Sequence, residues 1–272
     1  MIAPLIPYFE VPELVLVRAG GWGNRFPSRD FALYPFGAFV ALSVWVGILL
    51  TLKQARRIGL SSQATLNFAL WIVVGGFVGG HLGHLLLYQP SQLASDPWAL
   101  LEIANGQSSL GGFAGAVAAM LLWSRRFRVA PWSGFSEALC SSLPAAWSMG
   151  RLGCAVAHDH PGVRSDSPLA VVYPDGGRWD LGLAEAVLVL PLAIVFLVLR
   201  RQPRSRTFFA RWTATYYLPL RFFLDFLRAR HLPGSDPRYW GLTSVQWACL
   251  ALMGFGIRHL CSRRQDREKE AQ

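Results

Sequence analysis

An arginine lies inside an apolar stretch of this sequence, where a charge is expensive unless a partner neutralises it. The stretch begins near Ser141 and runs through Arg151 before a polar loop leaves it. On membrane-insertion scales such a charge costs about 2.5–3.5 kcal/mol. A second apolar stretch carries Arg221 and Arg228 and is available to face the first. A guanidinium stays charged and offers a planar fork of donors that suits phosphate oxygens, so these arginines predict a site for an anionic lipid headgroup.

The second apolar stretch also contains an acid. Arg221 and Arg228 are seven residues apart, which places them on nearly the same face of a helix, and Asp225 follows Arg221 by four residues. Two interpretations are open. Either the arginines bind a headgroup, or Arg221 and Asp225 neutralise one another while Arg228 lies at the membrane interface.

Two histidines flank an acid shortly after Arg151. His158 and His160 enclose Asp159 in the polar loop. A His-X-His pair can bind a metal ion, but no third ligand with suitable spacing is visible, so we expect neither a metal nor another cofactor. An ion pair between Asp159 and an arginine, or a histidine that accepts a proton, fits these residue types better. Polar loop residues without chemistry are the alternative.

Other polar side chains occur at the ends of apolar stretches. His81 and His84 are three residues apart and share a helix face, which is typical of a polar interior between membrane helices. The alternative is that they reach the outer interface beside Tyr88. Tyr34 either contacts a headgroup or anchors the chain at the interface.

Composition places the chain among integral membrane proteins. Of its 272 residues 53% are hydrophobic and 15% are charged, and the mean hydropathy is +0.32. The net charge of +10 does not indicate nucleic acid, because the basic residues cluster in short loops between apolar runs. The four cysteines form neither a Cys-x-x-Cys pair nor a dense framework, so no disulfide scaffold is expected.

Seven apolar stretches divide the chain at lengths near those that cross a bilayer. They cover residues 31–52, 66–88, 107–124, 132–152, 182–199, 207–228 and 243–260. Basic clusters follow every second stretch, starting with the first, so the positive-inside rule predicts an outward N-terminus and a cytoplasmic C-terminus. We therefore expect an all-α polytopic membrane protein. Its expected parts are an outward segment 1–30, a seven-span domain 31–260 with an outward loop 153–181, and a cytoplasmic basic tail 261–272.

Most of the chain, residues 31–257, resembles the bacterial prolipoprotein diacylglyceryl transferases. The signature of that family is Gly-Arg-x-Gly-Asn with an acid and a glycine further on, and residues 150–154 are similar to it, with Asp159 and Gly162 following. Three further segments or positions also resemble the family: residues 79–88 (Gly-Gly-Arg-x-Gly-Tyr-x-x-x-Tyr), residues 221–228 (Arg-Phe-x-x-Glu-x-x-Arg), and Glu185 with Gln246.

The resemblance implies a function. It implies transfer of a diacylglyceryl group from phosphatidylglycerol to the thiol of a lipobox cysteine, with release of glycerol phosphate, by a multi-pass protein of the bacterial inner (plasma) membrane. The implied partners are phosphatidylglycerol, prolipoprotein signal peptides and membrane lipid, without nucleic acid, and we expect a monomer. The implied catalytic residues are Arg151 and Arg221, which would hold the phosphate, with Asp159 and His158. The implied substrate-binding residues are Tyr34, Arg228, Gly150, Gly153, Gly162, His84 and Glu185.

Several positions differ from the family pattern, and three of them bear on the reaction. Leu110 stands where the family has a histidine, Cys154 replaces the signature asparagine, and Asp159 replaces a glutamate. A proton acceptor would then come from His84, His158 or His160. These differences leave two alternatives: a non-catalytic membrane protein of the same fold that binds lipid headgroups, and a transferase with a changed acceptor. A transporter is less favoured, because no internal repeat is visible.

Overall fold

The computed structural model describes residues 4–12, 14–18, 30–102, 106–130, 134–202, 204–205, 207–232 and 235–270. The chain is mostly helical. Its α-helices are α1 (Pro35–Arg57), α2 (Ser62–Tyr88), α3 (Pro90–Ser95), α4 (Ser109–Phe127), α5 (Gly134–Ala157), α6 (Leu181–Leu199), α7 (Phe208–Leu224) and α8 (Ser244–Glu270). Short 3-10 helices cover Pro97–Leu101 and Asp225–Leu227. A long helix occupies each of the seven predicted apolar stretches, with displaced ends.

Three of these helices, α1, α2 and α6, are long and apolar enough to cross a membrane among the described residues. Apart from Glu185 near its start, helix α6 is apolar on every face, which is typical of a membrane span. The expectation of a helical membrane protein is thus confirmed at this coarser level. The count of seven spans and their orientation stay predictions.

The sixth predicted stretch ends earlier than expected. Helix α7 ends at Leu224, and a 3-10 turn over Asp225–Leu227 follows it. Arg228 therefore lies outside the helix, and the prediction that Arg221 and Arg228 share one helix face is wrong. The Asp225 carboxylate accepts a hydrogen bond from the Thr243 hydroxyl, which engages the acid outside its own helix.

The chain divides into two compact units. Unit 1 comprises Met1–Gly47, Leu143–Val195 and Phe226–Ser235, and unit 2 comprises Ile48–Ser142, Phe196–Asp225 and Asp236–Gln272. Unit 1 contains a four-stranded sheet in the order β1-β5-β6-β4, made of β1 (Ile6–Pro7), β4 (Pro161–Arg164), β5 (Val171–Tyr173) and β6 (Gly176–Asp180). It also contains the antiparallel pair β2 (Leu14–Arg18) and β3 (Asp30–Leu33), and unit 2 contains the pair β7 (Arg238–Tyr239) and β8 (Leu242–Thr243).

Helices α2 and α4 of unit 2 pack with their backbones in near contact. A Cβ atom added to Gly79 would lie 2.5 Å from the Gly111 carbonyl oxygen and 2.6 Å from the Gly115 Cα. The close approach is mutual, because a Cβ on Gly111 would lie 2.3 Å from the Gly79 carbonyl oxygen. Small residues permit this packing in membrane helices, where dispersion forces rather than hydrophobic burial hold helices together. At the other end of these helices, Trp123 packs on Phe68 and donates from Nε1 to an Asn67 oxygen at 2.8 Å.

Candidate functional site

Arg151 is buried in unit 1 against an acid and an aromatic ring. Its side chain is 7% exposed, and its Nε lies 3.2 Å from Oε2 of Glu185, whose side chain is 1% exposed. The other Glu185 oxygen accepts a hydrogen bond from Nε1 of Trp147 at 2.8 Å. The Arg151 guanidinium also lies 4.8 Å from the centre of the Trp147 ring. Acid and ring together fix the plane of the guanidinium and offset its charge.

Helices α5 and α6 bring these groups together because their backbones approach closely. A Cβ on Gly182 would lie 2.7 Å from the Ala155 backbone nitrogen and 2.9 Å from the Cys154 Cβ, so only glycine fits there. The Ser148 hydroxyl donates to the Ala186 carbonyl oxygen at 2.8 Å. This packing places Glu185, in the first turns of α6, beside the second half of α5.

Cys154, Asp159 and His160 form a cluster next to Arg151. One potential ligand atom from each of the three lies within 4.8 Å of the others. Cys154 is buried, and Nη1 of Arg151 lies 3.7 Å from its sulfur. Nε2 of His160 lies 3.7 Å from Oδ1 of Asp159, and these two side chains are 26% and 38% exposed. Helix α5 ends at Ala157, and His158 follows with a positive φ of 49°, which turns the chain after the helix.

The electrostatic setting of Asp159 is mixed. Burial among neighbouring atoms raises the pKa of its carboxyl to about 6, although part of the side chain reaches solvent. The positive charges of Arg151 and Arg228 lower this pKa, whereas the negative charge of Asp180 raises it further. Asp159 therefore responds to the arginines electrostatically, and Arg151 makes a close ion pair with Glu185.

His158 is held on both sides of its ring. Nδ1 lies 2.8 Å from Oδ2 of Asp180, and Nε2 lies 3.2 Å from the Phe9 carbonyl oxygen. The ring of Tyr8 stacks on it with centroids 4.2 Å apart. Both partners of the imidazole are acceptors, so the ring satisfies both contacts when each nitrogen carries a hydrogen. This arrangement positions the N-terminal segment and engages both ring nitrogens.

Asp180 is the centre of this network. It accepts from the Tyr173 hydroxyl at 2.9 Å as well as from His158, and its second oxygen accepts from the Leu183 backbone nitrogen, also at 2.9 Å. The last bond caps the N-terminus of α6. Burial, followed by the negative charge of Asp180, raises the pKa of the Tyr173 hydroxyl, so Tyr173 remains a donor.

The signature glycines lie where backbones meet within unit 1. A Cβ on Gly162 would lie 2.7 Å from the Trp179 carbonyl oxygen and 2.8 Å from the Leu227 carbonyl oxygen. Gly162 also forms an antiparallel bridge with Arg228, which places half-buried Arg228 beside the loop that carries Asp159. A Cβ on Gly153 would lie 2.7 Å from the Phe39 Cβ, whereas Gly150 has only ordinary contacts.

The remaining predicted residues lie elsewhere. Tyr34 belongs to unit 1, is 58% exposed, and precedes α1. Its exposure is compatible with either of the roles that the sequence left open.

Arg221 and His84 belong to unit 2. Arg221 is buried, and its Nη2 lies 2.8 Å from Oδ1 of Asp225, as the neutralisation interpretation predicts. His84 stacks on Tyr88 with ring centroids 5.7 Å apart, and a Cβ on Gly106 would lie 2.2 Å from its Nε2. The sequence-based expectation that Arg221 faces Arg151 stays a prediction.

The comparisons with known proteins agree with the sequence resemblance. A family model described as prolipoprotein diacylglyceryl transferase matches residues 26–261. The chain belongs to this family. A relative from Agrobacterium fabrum, named phosphatidylglycerol–prolipoprotein diacylglyceryl transferase, is 31% identical over 67% of this chain and 72% of its own length. Relatives of the same name from Aromatoleum aromaticum and Rhizobium leguminosarum are 28% and 29% identical, and the matches cover 85% and 84% of this chain and 91% and 87% of theirs.

Some residues of this transferase-family site were missed at the sequence level. Trp147 donates to Glu185, the partner of Arg151, and Asp180 contacts His158, yet neither residue was singled out from the sequence. Asp180 could have been recognised, since an aspartate directly before an apolar helical run is a typical N-cap. Nothing local marks Trp147, because its partner is distant in the chain. The Cys154–His160 proximity also depends on the turn after α5.

Proposed function

We propose that this membrane protein transfers a diacylglyceryl group from phosphatidylglycerol to the thiol of a lipobox cysteine in prolipoproteins. Its family is one of transferases, and the bacterial relatives carry that activity in their names. The observation that carries the proposal within the molecule is Arg151, a buried guanidinium at the family signature, held by Glu185 and Trp147. A buried fixed cation of this kind suits one phosphate of a lipid headgroup.

The reaction requires three physical elements. The thiol must lose its proton, its sulfur must attack a carbon of the glyceryl group, and the bond from that carbon to the phosphate oxygen must break. The glycerol phosphate then leaves with the electron pair, so negative charge grows on the phosphate oxygens in the transition state. A preorganised guanidinium stabilises such charge without reorganisation, and removing one such donor typically costs about 100- to 1,000-fold in rate.

The other site residues have proposed roles on the same basis. Arg151 and Arg221 hold the phosphate, Asp159 tunes the charge around Arg151, and His158 secures the loop that carries the acid. Proposed contacts with the lipid or with the backbone that shapes its site are made by Tyr34, Arg228, Gly150, Gly153, Gly162, His84 and Glu185. Glu185 acts through Arg151, since it pairs with that guanidinium.

We further propose the topology predicted from the basic clusters. The protein would be a monomeric, multi-pass protein of the bacterial inner membrane with seven spans, an outward segment 1–30, an outward loop 153–181 and a cytoplasmic tail 261–272. The experiment is labelling of single added cysteines from outside intact cells, in a variant without native cysteines. Labelling at Arg164 but not at Arg126 supports the orientation, and the reverse pattern contradicts it.

The test of activity is an in vitro transfer assay. Purified protein, phosphatidylglycerol vesicles and a labelled lipobox peptide are combined, and lipidation of the peptide is followed by its mobility. Arg151→Ala should lose at least about 100-fold in rate. Arg151→Lys should also be impaired, because lysine keeps the charge but not the planar fork. The matched control is Arg164→Ala, since that arginine is 70% exposed in the same unit and should leave transfer unchanged.

The substitution of the family histidine by Leu110 motivates a second candidate. A protein of this fold without transfer activity would still bind phosphatidylglycerol through Arg151. The same samples separate the two: Arg151-dependent lipid binding without any lipidated peptide supports the binding protein and contradicts the transferase. Transfer that is unchanged in Arg151→Ala contradicts both.

A further inference from the structure

A thiol, a carboxylate and an imidazole meet at the end of α5. Cys154 is the last-turn residue that replaces the family asparagine, and Asp159 and His160 follow on the returning loop. Among the described residues this is the group of three such side chains whose ligand atoms come within 4.8 Å of one another. We propose that Cys154, Asp159 and His160 form a binding site for a thiophilic divalent cation of the zinc class.

The geometry is close to that of a metal site. Zinc binds sulfur at about 2.3 Å and nitrogen or oxygen at about 2.0–2.2 Å, so tetrahedral ligands are separated by about 3.4–3.6 Å. The ligand atoms of the cluster, now within 4.8 Å of one another, reach that range if their separations shorten by about 1 Å. Asp159 and His160 can supply it by side-chain rotation, because they are 38% and 26% exposed. Cys154 is buried and fixed, so it defines the place of the ion.

The cluster lies among charged groups of both signs. Asp159 interacts electrostatically with Arg151, Arg228 and Asp180, and Cys154 interacts with Arg151, Asp159 and Glu185. Two guanidinium groups thus stand beside three carboxylates, one of which, Asp180, also contacts the His158 ring. Burial raises the pKa of the Cys154 thiol, and the Arg151 guanidinium, 3.7 Å from the sulfur, acts in the opposite direction.

Three protein ligands leave the fourth zinc position open, as in catalytic zinc sites. The role of that position rests on the proposed transferase function. The acceptor cysteine thiol binds there, and its proton passes to water, because a coordinated thiol is deprotonated. The metal-bound sulfur then attacks the glyceryl carbon as the carbon–oxygen bond to the phosphate breaks. The electron pair leaves with glycerol phosphate, and no oxidant or reductant is needed.

Such a site would meet a need created by one substitution in this chain. Leu110 stands where the family has a histidine, so the thiol lacks that base. His158 does not replace it, because its two nitrogens already contact Asp180 and the Phe9 carbonyl oxygen. A metal-bound thiolate needs no separate base.

The first experiment measures the metal site without using activity. Detergent-purified full-length protein is stripped with a chelator and titrated with Co²⁺, whose bond to a thiolate gives a near-ultraviolet charge-transfer band. Wild type should show the band at saturation. Cys154→Ser should abolish it, and His160→Ala, in a partly exposed loop position, should weaken Co²⁺ affinity by about 100-fold or more. The matched control Cys140→Ser should keep the band. Absence of the band in folded wild type, or its persistence in Cys154→Ser, overturns the site.

The second experiment tests what the site does. A lipobox peptide with its cysteine should intensify the charge-transfer band, while the same peptide with serine should not. Chelated protein should lose lipid transfer and regain it with Zn²⁺. Full transfer by chelated protein overturns the thiol-binding role and leaves the transferase standing. A Cys154-dependent Co²⁺ band with no lipidated peptide under any condition supports the metal site and overturns the transferase.

Discussion

Removal of Glu185 is the sharpest test of how the buried arginine is held. Its side chain is 1% exposed and contacts Arg151, which is 7% exposed. Glu185→Ala would remove an acid that pairs with this buried guanidinium. Breaking a buried ion pair from one side costs about 3–5 kcal/mol, because the remaining charge has lost its compensation. We therefore expect the free energy of unfolding to fall by about 3–5 kcal/mol.

The expected magnitude separates the ion pair from a simple hydrogen bond. Trp147→Phe removes the donor to the other Glu185 oxygen but keeps an aromatic ring beside Arg151. That bond goes to a charged acceptor and contributes about 1.5–3 kcal/mol, so the free energy of unfolding should fall less in this variant than in Glu185→Ala. The double variant Arg151→Ala with Glu185→Ala removes both charges. It should be less destabilised than the sum of the two single variants, because neither charge is then stranded.

The assay is equilibrium unfolding in mixed micelles, followed by circular dichroism, with lipid transfer measured on the same samples. Transfer by Glu185→Ala should also fall, because the plane of the Arg151 guanidinium is no longer fixed. If Glu185→Ala costs no more than Trp147→Phe, the acid does not compensate the arginine. If the two single substitutions at Arg151 and Glu185 are additive, the reasoning from the ion pair is refuted.

Three further predictions concern packing, the His158 network and acid stability. Gly79→Ala should destabilise the protein by about 1–3 kcal/mol, because the added methyl group overpacks α2 against α4. The control is Gly76→Ala, whose Cβ would lie 3.8 Å from the nearest atom and which should leave thermal unfolding unchanged. Equal effects of the two substitutions would contradict the backbone contact. Asp180→Ala should lower the free energy of unfolding by about 1–3 kcal/mol, because it leaves buried hydrogen-bond donors unsatisfied. Asp180→Asn should lower it less. If Asp180→Asn is the more destabilised variant, unsatisfied donors are not the cause. The hydrogen bond from Arg178, with support from Arg164, lowers the pKa of Asp175 from 3.8 to about 2. The ionised Asp175 therefore stabilises the fold above about pH 4, and this stabilisation is lost as the pH falls through about 2. The difference in unfolding midpoint between wild type and Asp175→Asn should therefore shrink on acidification, and a constant difference would contradict the linkage.

The helices were predictable because their signal is local. Each long apolar stretch became a helix, since a chain in lipid must satisfy its backbone hydrogen bonds internally. Their ends were less accurate: the stretch predicted to begin at residue 66 starts at Ser62, where the Ser61 side chain caps it. The end of α7 was missed altogether, because Asp225 is engaged by Thr243 through a contact that no local pattern announces.

Part of the candidate site could likewise be predicted from local sequence, and part of it could not. The sequence by itself determined that the chain is a helical membrane protein, that Arg151 is a costly charge needing compensation, and that the chain resembles its family, since hydropathy and motif spacing lie along the chain. The tertiary structure alone decided that Glu185 makes the close ion pair with Arg151, that His158 is occupied by Asp180, and that Cys154 meets His160. These outcomes depend on which backbones approach within contact distance, as Gly182 allows for α5 and α6. Such approaches are set by packing between segments far apart in sequence, and periodicity along a single segment does not encode them.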